Sequence, residues 1–280
     1  MSLSHIIQNP NHKIGFLGAG NMTTVFLRRL IESNTLTPKQ IMVSNRTDGK
    51  LQKLKSTYDI LIANTNEQLV DECDVVIIAV KPQDFNEALE PIASSFKPDQ
   101  IVISLAAGLA LNSLYKIVPN VRWARVMPNT PSRIGHGVIG LCTRDKKDVG
   151  LEEYIKSLLA SLGTIISVES EEDFNTIMIS SSSGTGFVFE LMSYWQEWIE
   201  ERGFTAEEAR QITVETFFGA SLLAQQSPNI SFVELVSAVA SKKGVTAAGL
   251  DSMRETEVER ALRISFEKAW IRNQEIAKLV

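Results

Sequence analysis

The hydrophobic pattern divides the chain into two regimes. Up to residue 168, short runs rich in β-branched side chains alternate with longer segments of helical period. Lys13–Leu17, Ile41–Ser44, Ile60–Ala63, Asp74–Val80 and Ile101–Leu105 are nearly continuous apolar runs, the pattern of strands covered on both faces. Trp123–Met127, Gly137–Cys142 and Thr164–Val168 follow as further strands. Helical segments fall between most of them, which predicts a mostly parallel α/β sheet with right-handed crossovers. Beyond Val168 the β-type runs stop, and Glu171–Ser183, Phe187–Arg202, Thr205–Gln226, Ser231–Ala240 and Glu255–Leu279 predict helices. Thr205 with Glu208, and Ser231 with Glu234, have capping-box spacing, and Gly203 suits a helix stop. Val258, Leu262, Phe266, Trp270 and Ile276 recur on one helical period. The expectation is an α/β domain over residues 1–168 and an all-helical domain over 169–280. Phe217 to Ala224 is apolar on more faces than one packing partner covers. The helical part is therefore expected to complete its core as a homodimer, with a higher ring of dimers as an extension.

Composition narrows the class. At 280 residues, 44% hydrophobic and 22% charged, the chain matches ordinary globular proteins, which excludes a disordered chain, a collagen or a coiled-coil rod. A net charge of −5 argues against nucleic acid or an anionic membrane surface as partner. Two cysteines, Cys73 and Cys142, build no disulfide framework and suit a reducing cytoplasm. His5, His12 and His136 lie near neither cysteine, so no structural metal is expected. Met1 to Asn11 is polar and lacks basic residues, unlike a signal peptide. No apolar stretch reaches the roughly 20 residues of a membrane span.

The first strand carries candidate chemistry. Lys13 to Thr23 reads as strand, glycine turn and helix start. Gly18 permits a tight turn, and Gly20 lets the backbone approach a pyrophosphate seated on the helix amides, so Gly18, Ala19, Gly20, Asn21 and Met22 are candidate cofactor contacts. The third fingerprint position is Thr23 rather than Gly or Ala, which bears on helix–strand packing more than on phosphate. The first domain is therefore expected to be Rossmann-type. The second strand ends Ser44-Asn45-Arg46-Thr47, with no acid before Asp48. A carboxylate there would hold a ribose hydroxyl, whereas Arg46 suits a 2′-phosphate, so NADP(H) is expected over NAD(H). Ala79-Val80-Lys81-Pro82 and Ala106-Ala107-Gly108 follow later strands with small side chains and open backbone, where a nicotinamide ring could lie. Lys81 reads as a strand-ending residue before Pro82 rather than as a catalytic base.

These segments resemble the Δ1-pyrroline-5-carboxylate reductase family over nearly the whole chain. Gly15 to Met22 is similar to its glycine-rich opening, and Asn45, Arg46 and Asn66 to its adenosine-phosphate and ribose contacts. Ala79–Pro82, Ser104–Gly108 and Arg125-Val-Met-Pro-Asn-Thr-Pro131 resemble consecutive family motifs, the last being the most specific. The stretch Ser181 to Phe187 and the substrate loop Ser241-Lys242-Lys243-Gly244-Val245-Thr246 match more loosely, with Lys243 where the family pattern has glycine. The resemblance implies NADPH-dependent reduction of Δ1-pyrroline-5-carboxylate to L-proline, the last step of proline biosynthesis. It implies substrate contacts at Ser241, Gly244, Val245, Thr246 and Asn129. The loop amides would hold the substrate carboxylate, and Thr246, the catalytic candidate, would hydrogen-bond the ring nitrogen. A protonated imine is already electrophilic, so little acid catalysis is required, in keeping with so few histidines. The β-hydroxyacid dehydrogenases resemble one another in a helical Lys followed four residues later by Asn. Lys242 and Lys243 are followed at that spacing by Thr246 and Ala247, so that constellation is missing. Two alternatives stay open: NADPH-dependent reduction of another cyclic imine, and a non-catalytic NADP-binding protein, which would bind NADPH tightly without turnover.

Overall fold

The computed structural model describes Asn9 and residues 11–143 and 149–278. Leu279, the expected end of the last helix, lies outside the described residues, as does most of the Met1–Asn11 segment. Among the described residues eight strands form one sheet in the order β3-β2-β1-β4-β5-β6-β7-β8. They are β1 Ile14–Leu17, β2 Ile41–Ser44, β3 Leu61–Ile62, β4 Val75–Ile78, β5 Ile101–Ser104, β6 Arg122–Met127, β7 Gly137–Thr143 and β8 Gly163–Val168. Only β6 and β7 pair antiparallel. Each expected strand is present, within a residue or two at its ends, and the sheet is mostly parallel as expected.

Intervening helices are α1 Asn21–Glu32, α2 Asp48–Tyr58, α3 Asn66–Glu72, α4 Phe85–Leu89, α5 Leu111–Ile117 and α6 Val149–Leu159. Every residue of β1, β2, β4 and β5 is buried, which is why their sequences are apolar without alternation. α1 buries Phe26, Leu27 and Leu30, one helical face, and Phe26 meets Phe16 of β1 edge-to-face at 5.9 Å between ring centres.

The chain resolves into two compact units, Met1–Ser183 with Ala269–Val280, and Gly184–Lys268. The expected division after Val168 falls at the end of the last strand. α7 Glu171–Ile177 and the π-type turn over Met178–Ser183 belong with the sheet, because Phe174 and Ile177 pack against Gly140 of β7. The second unit comprises α8 Gly184–Glu200, α9 Ala206–Gln226, α10 Phe232–Val239, α11 Val245–Glu255 and the first turns of α12 Val258–Ala277. Both capping boxes form: Thr205 and Ser231 accept from the amides of Glu208 and Glu234, whose carboxylates accept in return from the Thr205 and Ser231 amides. Gly203 closes the preceding helix with φ +92°.

This second unit has almost no interior of its own. Among its described residues Gly184, Ile199, Ala209 and Thr213 are buried, while Phe232 and Val233 are 77% and 76% exposed. Phe189, Trp198, Phe218 and Leu223 are also exposed. So many exposed large apolar side chains on one unit exceed the few scattered ones normal on a monomer. Among the described residues no helix is long and apolar enough to cross a membrane.

Candidate active site

The carboxyl ends of β1, β2, β4 and β5 lie side by side and build one edge of the sheet unit. The turn after β1 is locked into it. The Gly18 amide donates to the Ser44 carbonyl at 2.9 Å, and the Ala79 amide to the Leu17 carbonyl at 2.8 Å. Gly18 has φ +111°, and a Cβ there would stand 3.0 Å from the Ala79 carbonyl. Glycine is required on both counts. Asn45 steadies the turn from β2, since its Oδ1 accepts from the Ala19 amide at 3.1 Å while its Nδ2 donates to Thr47. Thr23, at the third fingerprint position, is fully buried, and its hydroxyl donates to the Gly18 carbonyl at 2.6 Å. Threonine thus fills the helix–strand contact without an unpaired polar atom.

α1 starts at Asn21 after Gly20, with no side-chain cap and no acidic residue in its first turn. Its leading amides and positive dipole end suit a phosphate, and a carboxylate that would repel one is lacking. Ser44 is buried, and its hydroxyl donates to Asn66 Oδ1 at 2.9 Å, fixing the start of α3 beside the end of β2. Arg46 projects into solvent past them, 77% exposed at its side chain. Lys81 is exposed beyond β4, and Ala106 is buried beyond β5. Gly108 turns at φ +76°, where a Cβ would meet the Ala277 amide nitrogen at 3.0 Å. The sheet unit therefore brings Gly18 to Met22, Ser44 to Arg46, Asn66, Ala79 to Pro82 and Ala106 to Gly108 to one edge.

Asn129 follows β6 on the same edge but is buried, with Oδ1 accepting from the Val138 amide at 3.0 Å and Nδ2 donating to the Ser181 carbonyl at 3.3 Å. It braces the Pro128–Pro131 segment against the serine run. Ser182 adds a bond from its hydroxyl to the Pro128 carbonyl. Just upstream, the Arg125 side chain is 2% exposed. It ion-pairs with Glu171 and stacks 4.1 Å over the Phe174 ring, leaving Nε and Nη2 without a partner among the described residues. Burial pulls its pKa below the ordinary arginine value, and Glu171 works against that shift. Glu171 also accepts from the Leu111 amide, capping α5.

Ser241, Gly244, Val245 and Thr246 are carried by the helical unit. The Gly244 amide donates to the Ser241 carbonyl at 2.9 Å, closing a turn that opens directly into α11. Gly244 is the N-cap, without a side-chain cap, so the first amides of α11 face solvent chemistry. Thr246 is exposed inside the first turn, and its hydroxyl makes no hydrogen bond among the described residues. Lys243 has φ +58°, the left-handed conformation that glycine adopts freely. No group of three or more metal-ligating side chains occurs among the described residues.

Sequence reasoning missed the Arg125–Glu171–Leu111 network, the bracing bonds of Asn129, and Glu87, which lies 3.9 Å from Arg46. None has a local signal, since, apart from the Asn129–Val138 bond, each joins residues far apart in the chain.

Two family models match, NADP oxidoreductase coenzyme F420-dependent over residues 13–108 and pyrroline-5-carboxylate reductase dimerisation over residues 171–276. The pyrroline-5-carboxylate reductase of Haemophilus influenzae is 27% identical over 96% of this chain and 99% of its own. That of Pseudomonas aeruginosa is 28% identical over 95% and 97%. The structure superposes on a pyrroline-5-carboxylate reductase from Coxiella burnetii with TM-score 0.86, 30% identity and coverage of 95% and 99%. The fold is shared with the NADP-bound Plasmodium falciparum pyrroline carboxylate reductase, TM-score 0.85 at 22% identity, covering 96% of this chain and 99% of that one. With this full-length similarity, and with the glycine turn, the Arg125–Pro131 segment and the helical C-terminal region all in place, the chain belongs to the pyrroline-5-carboxylate reductase family.

Proposed function

We propose that this protein reduces Δ1-pyrroline-5-carboxylate to L-proline with NADPH, as the last step of proline synthesis in the cytoplasm. One observation carries the reading: the chain offers two separate anion-receptive helix starts, α1 after the glycine turn, with the exposed Arg46 at the end of the neighbouring β2, and α11 with the free hydroxyl of Thr246. The first suits a 2′-phosphorylated dinucleotide, the second a small carboxylate bearing a ring nitrogen. Residues 1–168 serve the cofactor, and residues 169–280 serve substrate and dimerisation.

When bound, the reduced nicotinamide supplies the hydride that the imine carbon, C2 of the pyrroline and C5 of the product proline, accepts. Gly18 and Gly20 keep side chains away from the pyrophosphate, and the α1 amides from Asn21 onward take its charge. Asn45 and Asn66 orient the ribose side, and Arg46 meets the 2′-phosphate with charge-assisted bonds. Ala79 to Pro82 and Ala106 to Gly108 border the rest of the dinucleotide with small side chains. Amides of Gly244 and Val245 hold the substrate carboxylate at the positive end of α11. Thr246 Oγ1 accepts from the protonated imine nitrogen and fixes its orientation, which leaves positioning as the main catalytic demand. Ser241 supports that turn, and Asn129 acts by holding the segment after β6.

Exposed apolar side chains on α8, α9 and α10 support a homodimer built through the helical unit, with a ring of dimers as its extension. The left-handed Lys243 favours one competing reading, a retuned loop that takes a larger cyclic imine. Consumption of NADPH by purified protein with Δ1-pyrroline-5-carboxylate, beside NADH and a six-membered cyclic imine, decides between them. Faster turnover with NADPH and the five-membered substrate supports the proposal. Turnover on the larger ring alone would transfer it to that imine, and tight NADPH binding without turnover would indicate a non-catalytic protein.

A further inference from the structure

We infer that Glu87 on α4 is a specificity-determining residue that competes with the cofactor 2′-phosphate for Arg46 and so limits the preference for NADPH over NADH. The inference rests on the proposed role of Arg46. β2 and β4 both neighbour β1, so about 10 Å separate them. Arg46 leaves the end of β2, and Glu87 lies on α4, shortly after the end of β4. Their side chains reach toward each other from the two sides of the glycine turn, with Nη1 and Oε2 3.9 Å apart. Both are largely exposed, at 77% and 75% of the side chain. Arg46 is the only ion-pair partner of Glu87 among the described residues.

An exposed pair of this kind adds little to folding stability. Its consequence lies in what it places beside a ligand. A dianionic 2′-phosphate seated on the Arg46 guanidinium either displaces the Glu87 carboxylate or sits next to it. In the first case the phosphate gains Arg46 only by breaking an existing contact. In the second it meets a like charge at a distance where screening is incomplete. A 2′-hydroxyl carries no charge and is indifferent to both effects. Glu87 therefore acts selectively against the phosphorylated cofactor, and it stands on the opposite side of the turn from the position after β2 where an NAD-type acid would lie.

The test is direct binding of NADPH and NADH, followed by nicotinamide fluorescence, to wild-type protein, Glu87→Gln, Arg46→Ala and the double variant. Glu87→Gln is expected to tighten NADPH about three- to tenfold and to leave NADH within about twofold, with the gain shrinking as salt rises. In the Arg46→Ala background the same change should give less than half of that gain, because the competition is gone. Unchanged or weaker NADPH binding by Glu87→Gln overturns the inference. Arg46→Ala reports separately on the underlying reading: loss of the NADPH advantage upholds it, and a retained advantage defeats it. Both substitutions are at exposed positions, so neither endangers the fold.

Discussion

Replacing Glu171 strands a guanidinium in the interior. The Arg125 side chain is 2% exposed, has Phe174 against its flat face, and depends on Glu171 as its one anionic partner among the described residues. Removing one member of a buried ion pair costs about 3–5 kcal/mol, because the remaining charge is left uncompensated. Glu171 is itself partly open to solvent, which places the loss near the lower figure, about 3 kcal/mol. A second contribution is separable. Glu171 Oε1 accepts from the Leu111 amide at 2.7 Å, a cap at the start of α5 of the kind that contributes about 1 kcal/mol. Glu171→Ala loses both, about 4 kcal/mol in all. Glu171→Gln keeps an oxygen for Leu111 and should be about 1 kcal/mol less harmful. Removing both charges, as Arg125→Met with Glu171→Leu, should recover most of the loss and leave about the cap deficit. Urea unfolding at one fixed protein concentration measures the series. A Glu171→Ala variant within about 0.5 kcal/mol of wild type, or a double variant no better than that single one, would refute the reasoning.

Further consequences are independent of that network. Thr246→Ala should lower kcat about tenfold or more while NADPH affinity stays unchanged, and equal turnover would remove Thr246 from the mechanism. Lys243→Gly relieves a left-handed lysine but loosens the unfolded chain, so a net gain of about 0.5–1 kcal/mol is expected in the same unfolding assay. Phe218→Asp together with Phe232→Asp should convert the proposed homodimer to monomer in sedimentation, since each of these exposed phenylalanines would contribute about 1.5–3 kcal/mol once a partner covers it; an unaltered dimer would mean that another surface associates. Burial pushes the Cys73 thiol up to about 12 and the Cys142 thiol up to about 11. Both should react with a thiol reagent at pH 8 at least about 100-fold faster in urea than in the native protein. The same raised values mean that the unfolded chain releases these protons first, so stability should fall as pH climbs above about 8.5.

The strands were legible because sheet burial on both faces writes itself directly into composition: Val75 to Ile78 has no polar residue to hide. The capping boxes of α9 and α10 were equally legible, because a cap is a contact within one turn of chain. α11 was not expected as a helix. It is short, buries none of its residues in this chain and carries Gly249, a poor helix former, mid-length. The serine run was read as ordinary helix. It forms a π-type turn instead: Ser181 donates to the Ile177 carbonyl at 2.6 Å, a local bond that competes with the helical ladder and accompanies the wider turn. For the candidate site, residues that announce themselves by backbone need, such as Gly18, could be picked from the sequence. Those that work through a distant partner could not. The surroundings of Asn129 and Arg125 depend on strand register and on where α7 docks, and Glu87 reaches Arg46 only because β1 lies between their two strands.

The central claim is that a hydride passes from NADPH to the imine carbon of a five-membered ring, the carbon that becomes C5 of proline. Incubating the protein with Δ1-pyrroline-5-carboxylate and NADPH deuterated at the transferring C4 position, and reading the product by mass spectrometry and NMR, tests it most directly. The account predicts L-proline with one deuterium at C5, one molecule for each NADPH consumed. Proline without deuterium, or NADPH left intact beside unchanged imine, would contradict it.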